Sequence, residues 1–307
     1  MIQTPPQTYA SLGFKEIAIS NVPESSPSVT KVVIVAFNRP NKYNAFTGSM
    51  VEELETAFTL LGVDPRVKAI VLTGNGKAFC AGADLEAGFS GLLAHKKDEK
   101  SIKAYRDGGG RVALAITRCP KPTIAAVNGP AAGVGFTLML PATIRVAWSG
   151  AKLAIPFSRR GVTLESCSAF YLPRLIGLSK AMHISTTGAT YLASDSLVRD
   201  LFSQIFQTPE ETVQYALQLA ADIAENTSGV STKLNRDLLL YAPDTPDTAH
   251  LLESEAFLYM VGSDDNVEGV SSFMEKRRAQ FKGELNTRDF PFWPWWGEGK
   301  AKGDAKL

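Results

Sequence analysis

Hydrophobic positions in this chain recur at two periods, and the change from one to the other divides it. Residues Phe14–Val22 ("FKEIAISNV") alternate, "PESSPS" breaks the run, and Lys31–Asn38 ("KVVIVAFN") is β-branched and apolar, which predicts a β-hairpin. A helical period follows: Met50, Val51, Leu54, Ala57, Phe58 and Leu61 share one face, with Thr47 or Ser49 as cap and Gly62 and Pro65 as stop. "VKAIVLTG" (Val67–Gly74) reads as a buried strand entering the small-residue loop "NGKAFCAGADL".

Residues 88–110 are polar, rich in Lys and closed by "GGG", a mobile loop with some helix on this reading. "GRVALAITRC" then reads as helix, "PTIAAVNG" as strand, "PAAGVGFTLMLPA" as a small-residue helix start, and "IRVAWSG" and "AKLAIP" as two strands. This β-β-α rhythm from Lys31 to about Phe206 argues an α/β domain with a coiled or stacked sheet instead of a plain βαβ series. After Pro209 four helical patterns follow, so residues 1–206 are expected to form the α/β core and 207–307 a helical C-terminal region, a lid or oligomerisation module. The tail then packs five aromatics and two prolines into residues 290–296, a set expected to pack on a neighbour.

The bulk numbers narrow the classes of partner. With 45% hydrophobic and 21% charged residues, 307 residues suffice for a sizeable core, and a net charge of +1 provides no broad field for nucleic acid. Cys80, Cys119 and Cys167 form no CxxC pair, and His95, His183 and His250 lie far apart, so neither a disulfide framework, a metal site nor a Ser/His/Asp triad is expected. No apolar run reaches the roughly 20 residues of a membrane helix, and the N-terminus lacks the pattern of a signal peptide. The final Ala305-Lys306-Leu307 is a close variant of the peroxisomal Ser-Lys-Leu address. The expected location is therefore the peroxisome, through its import receptor, or otherwise the cytoplasm.

Two segments share one design. In "FCAGADL" and "NGPAAGVGF" a strand runs into small residues that open a helix, so unpaired backbone N–H groups point above the helix start. Two such sites facing one another make an oxyanion hole; taken singly, each is equally a device for tight strand-to-helix packing. A second feature is compositional: between Asp107 and Asp195 the sole acid is Glu165, in "GVTLESCS". One account of Glu165 is a first-turn carboxylate favouring a helix dipole with Thr163 as cap, worth at most about 1 kcal/mol. The other is a base in a poorly hydrated site, with Phe157, Leu164 and Phe170 nearby in sequence, where its pKa would rise.

"NRPNKYNAF" (Asn38–Phe46), "GKAFCAGADL" (Gly76–Leu85), "KPTIAAVNGPAAGVGFTLML" (Lys121–Leu140) and "VEGVSSFMEKRRAQF" (Val267–Phe281) together resemble the crotonase superfamily, the enoyl-CoA hydratases and isomerases. The resemblance implies a spiral of β-β-α repeats with an α-helical C-terminal trimerisation region, assembled as a homotrimer or homohexamer. It implies an acyl-CoA substrate, no further cofactor, and oxyanion donors at the N–H groups of Ala83 and Val134. Val134 stands where the family has Gly, so its side chain must point away from the substrate. The same carry-over places coenzyme A against the backbone around Asn44, Ala45, Ala83, Asp84 and Leu85, with Lys42, Phe273 and Lys276 as further contacts, the last two serving a neighbouring subunit.

Hydratases of this family use two glutamates, and here those positions hold Thr137 and Phe157, neither of which exchanges protons near neutral pH. "IPFSRRGVTLESCSAFYLPRLIG" is instead similar to the segment that bears the single catalytic glutamate of peroxisomal delta-3,delta-2-enoyl-CoA isomerases. That resemblance implies an isomerase with Glu165 as its one proton shuttle and Phe157 beside the substrate. Alternatives are a hydratase, dienoyl-CoA isomerase or thioesterase using Asp84 or Tyr105 as a second group, or a non-catalytic acyl-CoA-binding subunit. Residues 88–110 are expected to line the acyl tunnel.

Overall fold

The structure, a computed structural model, describes residues 4–84 and 90–296, and divides into two compact units, Met1–Ala221 and Asp222–Leu307. In the first, β1 (Ile17–Asn21) and β2 (Val32–Phe37) form the expected antiparallel hairpin, Ile17 opposite Phe37. Helix α1 (Gly48–Val63) follows, capped by Thr47, whose hydroxyl accepts from the Met50 N–H at 3.2 Å. It leads to β3 (Ala69–Gly74), buried at every position, as a strand covered on both faces must be. Two short helices, α2 (Ser90–Leu93) and α3 (Glu99–Ala104), precede α4 (Gly108–Arg118).

The remaining repeats set the topology. β4 (Thr123–Val127), β5 (Ala131–Ala132) and α5 (Val134–Thr137) make one turn; β6 (Ile144–Trp148), β7 (Lys152–Ala154) and α6 (Ser168–Thr187, interrupted at Gly177) make the next. β8 (Thr190–Leu192) and β9 (Gln204–Phe206) complete the set. The first strand of each turn joins a six-stranded sheet in the order β1-β2-β3-β4-β6-β9, in which every pair after the hairpin is parallel. The second strand joins a three-stranded sheet, β5-β7-β8. Isolated bridges Phe46–Ala83 and Cys80–Ala131 continue this progression on the earlier turns. Each turn thus advances one strand in both sheets, the spiral of β-β-α repeats expected of the fold.

Helix α7 (Pro209–Asn226) begins after β9, and the division between the units falls inside it, whereas the sequence reading set the change at 206/207. The second unit contains α8 (Gly229–Leu240), α9 (Pro246–Met260) and α10 (Asp264–Met274). Its core joins Val230, Leu234 and Ala256 to Phe290 and Phe292 of the aromatic tail. Trp293 Nε1 donates to Asp237 Oδ2 at 2.8 Å, and Asp237 also pairs with the buried Lys233. The tail aromatics therefore pack on the helices of their own unit.

One expectation is corrected by the first unit. The "GGG" run, read as the end of a loop, forms the first turn of α4, with Asp107 as its cap. Glycine is a poor helix former, so some other requirement selects it here.

Candidate active site

The two small-residue segments lie side by side. The Phe79 and Cys80 N–H groups donate to Pro130 O at 3.1 and 3.2 Å, and Ala132 N–H returns a bond to Cys80 O at 3.1 Å. Gly82 has a φ of +102°, and a Cβ there would lie 2.8 Å from Ala132 O; one on Gly135 would lie 2.0 Å from Cys80 O. No larger residue fits either point. Ala83 follows Gly82 and Val134 follows Gly133, so the contact brings their peptide groups to the same place. Among the described residues neither N–H has an acceptor, as expected for Val134 at the first position of a helix. The Val134 side chain is buried toward α4, its Cγ2 3.0 Å from where a Cβ on Gly109 would stand.

Glu165 reaches the same region from another loop. Ser166 and Cys167 adopt consecutive left-handed conformations, φ +54° and +56°, unusual for residues with a side chain. The turn is held by Ser168, whose N–H and hydroxyl both donate to Glu165 O, at 2.9 and 2.6 Å. Each carboxylate oxygen of Glu165 has its own hydroxyl donor. Thr137 Oγ1 donates to Oε1 at 2.7 Å, and Ser166 Oγ donates to Oε2. Gly109 packs directly against this group: a Cβ there would lie 2.2 Å from Glu165 Oε2 and 1.9 Å from Ser166 Oγ.

A second acid stands beside the first. Asp107 Oδ1 accepts from the N–H groups of Gly110 at 2.5 Å and Ser166 at 3.2 Å, and Ser166 bridges the two acids, its N–H on Asp107 and its hydroxyl on Glu165 Oε2. Burial pushes the Glu165 carboxyl above its ordinary range; the Ser166 and Thr137 hydroxyls pull it back, and the charge of Asp107 adds to the rise. The helix-start account of Glu165 does not hold, since α6 begins at Ser168 with no side-chain cap and Thr163 is exposed.

Paired N–H groups on touching small-residue turns, with the Glu165 carboxyl close by, can stabilise an enolate while a proton is moved. The comparisons agree with this geometry. Residues 28–284 match the family described as enoyl-CoA hydratase/isomerase. The chain belongs to this family. It is 43% identical over 262 residues to the enoyl-CoA hydratase AFT3-1 of Alternaria alternata, covering 85% of this chain and 86% of the relative. It is 33% identical to the mitochondrial enoyl-CoA hydratase of Pongo abelii, covering 82% and 83%. Among solved structures, an enoyl-CoA hydratase from Bacillus anthracis superposes with a TM-score of 0.75 at 27% identity, covering 88% of this chain and all of that one.

The remaining positions suggested by the crotonase resemblance fall into three groups. Asn44 is fully buried, and its side chain is a brace: Nδ2 donates to the carbonyls of Asn75, Ala78 and Phe79, and Oδ1 accepts from Arg39 N–H at 2.8 Å. Backbone bonds from Phe46 to Gly82 and from Asp84 to Phe46 then tie the Asn44–Phe46 stretch to Ala83. Only main chain is left to face a ligand at Asn44. Asp84 pairs with Arg39 at 3.0 Å, so it is no free second acid; Lys42 is exposed, and Leu85 lies outside the described residues.

Phe157 packs near Gly133, its Cε1 3.6 Å from where a Cβ would stand. The Tyr105 phenol is pushed upward by burial and by the charges of Asp107 and Glu165, so it is a neutral hydroxyl near neutral pH. Tyr105, Leu92, His95, Ala104 and Gly108 help to line a cleft of about 540 Å³ against Val51 of α1, part of the stretch expected to form an acyl tunnel. Phe273 and Lys276 belong to the second unit, where Phe273 is exposed on α10 and Lys276, φ +53°, lies beyond its end.

Thr137, Ser166, Asp107 and Gly109 were not identified from sequence as partners of Glu165. Thr137 was read only as a lost glutamate, although a hydroxyl three residues past the Val134 turn was visible there. The GGG run was the other usable signal.

Proposed function

We propose that this member of the enoyl-CoA hydratase/isomerase family is a delta-3,delta-2-enoyl-CoA isomerase. The observation that carries the reading is Glu165 itself, a carboxylate bound by two hydroxyls, beside the unpaired N–H groups of Ala83 and Val134. The thioester carbonyl of a 3-enoyl-CoA would accept from both N–H groups, each worth roughly 3–4 kcal/mol to the developing enolate. Glu165 removes a proton from C2 and delivers it to C4 on the same face, which one base does in succession. The positions of the two hydratase glutamates support this role: Thr137 orients Glu165, and Phe157 supplies an apolar wall.

Coenzyme A is assigned to the main chain of Asn44, Ala45, Ala83, Asp84 and Leu85 and to Lys42, and the acyl chain to the cleft beside Tyr105. The thioester is a substrate; the reaction needs no added cofactor. Leu239, Phe257, Leu258, Phe273 and Met274 of the second unit are exposed, an apolar surface suited to burial in a homotrimer or homohexamer in which Phe273 and Lys276 serve a neighbour's coenzyme A site. Import into peroxisomes through Ala305-Lys306-Leu307, which lies outside the described residues, completes the proposal.

Hydration of a 2-enoyl-CoA is the second reading, favoured by relatives named hydratases and by the second carboxyl, Asp107, linked to Glu165 through Ser166. Incubating 3-enoyl-CoA and 2-enoyl-CoA separately in heavy-oxygen water separates the two. Isomerisation without label in the acyl chain is expected, and label incorporated at C3 with no isomerisation would replace this reading with the second.

A further inference from the structure

The isomerase reading requires Glu165 to hold a proton between two steps without losing it to water, and Asp107 is placed to serve that interval. Asp107 is fixed from two directions: as the cap of α4 it accepts from Gly110 N–H, and it accepts from the N–H of Ser166, the residue whose hydroxyl binds Glu165. The two carboxyls straddle adjacent glycines. A Cβ on Gly109 would lie 2.2 Å from Glu165 Oε2, and one on Gly110 would lie 2.6 Å from Asp107 Oδ2. The absence of side chains at Gly109 and Gly110 leaves room for both carboxyls on this turn, and it accounts for glycine in a helix start.

We propose that Asp107 is a positioning residue that forms a carboxyl pair with Glu165 and retains the transferred proton by accepting a hydrogen bond from protonated Glu165. The inference rests on the isomerase reading. In the first step the C2–H bond breaks, its proton goes to Glu165, and its electron pair passes into the thioester to give the enolate. Glu165 then donates to Asp107, whose carboxylate cannot itself take a bond from an ionised neighbour. In the second step the enolate electrons return through C2–C3, the proton moves to C4, and Glu165 is ionised again. Among the described residues Tyr105, Cys167 and Cys80 also feel the charge of Glu165, and each is neutral near neutral pH because burial raises it; the cations near them are Arg118, which acts on Cys167, and Arg39, which acts on Cys80. Arg111, which acts on Tyr105, is paired with Glu55.

Asp107→Asn tests this, since the amide oxygen still accepts both N–H bonds while the charge is gone. The acid limb of kcat/KM is expected to move to lower pH, with kcat at neutral pH down about tenfold. With substrate deuterated at C2, less deuterium should arrive at C4. Infrared titration of the Glu165 carboxyl, assigned by its loss in Glu165→Gln, should shift the same way, and this readout does not depend on turnover. Should Asp107→Asn fold poorly, Asp107→Ser keeps an uncharged cap and is expected to show the same shifts. An unmoved acid limb and an unmoved infrared titration, with Glu165→Gln inactive, would overturn the pair and leave the isomerase reading intact. Full turnover by Glu165→Gln would instead overturn that reading.

Discussion

Thr137 Oγ1 stands 2.7 Å from Glu165 Oε1, across 28 residues of chain, and donates to it. On the proposed isomerase reading, the position where the crotonase resemblance expects a hydratase glutamate holds the hydroxyl that orients Glu165.

Thr137→Val keeps the shape and removes the donor. Because that hydrogen bond favours ionised Glu165, its loss raises the carboxyl further, and the acid limb of kcat/KM moves to higher pH. Turnover near neutrality should fall about tenfold, and Thr137→Ser should restore it. A profile that stays in place would remove Thr137 from the site.

Gly109→Ala places a methyl group where Glu165 Oε2 and Ser166 Oγ now stand. Alanine is the better helix former, so the helix survives while the carboxylate is displaced. Steady-state kinetics should show kcat reduced by about 10² with acyl-CoA affinity little changed; unaltered kcat would mean that the carboxylate has room to move.

Glu165→Gln should make the protein more stable at neutral and alkaline pH. A carboxyl raised in the folded state penalises folding wherever it must ionise, so the penalty is full above the folded pKa. It disappears as pH falls below the ordinary carboxylate range. Urea unfolding is expected to place the variant above the wild type at about pH 8 and level with it near about pH 4. A variant that is less stable at both would show that the folded protein favours the ionised form.

Asn44→Ala removes one acceptor and the donors to three carbonyls, those of Ala78 and Phe79 buried and that of Asn75 half-buried. The expected cost is about 2–4 kcal/mol, read by denaturant unfolding, with KM for acyl-CoA raised because the 39–46 and 78–84 loops lose their mutual register. A cost below about 0.5 kcal/mol would show that the brace is dispensable.

Much of the fold could be read because it is local. The hairpin of β1 and β2, the Thr47 cap of α1, and strands β3, β4, β6 and β7 each follow from period and turn chemistry. The site was legible only in its isolated features, the two small-residue turns and the lone Glu165. What joins them is long-range: Asp107 meets the Ser166 peptide across 59 residues, a contact no sequence period encodes. Glycine signals a loop in general, whereas at Gly108–Gly110 the close approach of Val51, of Glu165 and Ser166, and of Asp107 to successive residues demands it inside a helix turn.

The central claim is that Glu165 alone moves the proton. The most direct test is single-turnover conversion of a 3-enoyl-CoA by Glu165→Gln beside equilibrium binding of the same thioester. A fall in the rate of at least about 10² with binding unchanged is predicted, and turnover near the wild-type rate would contradict it.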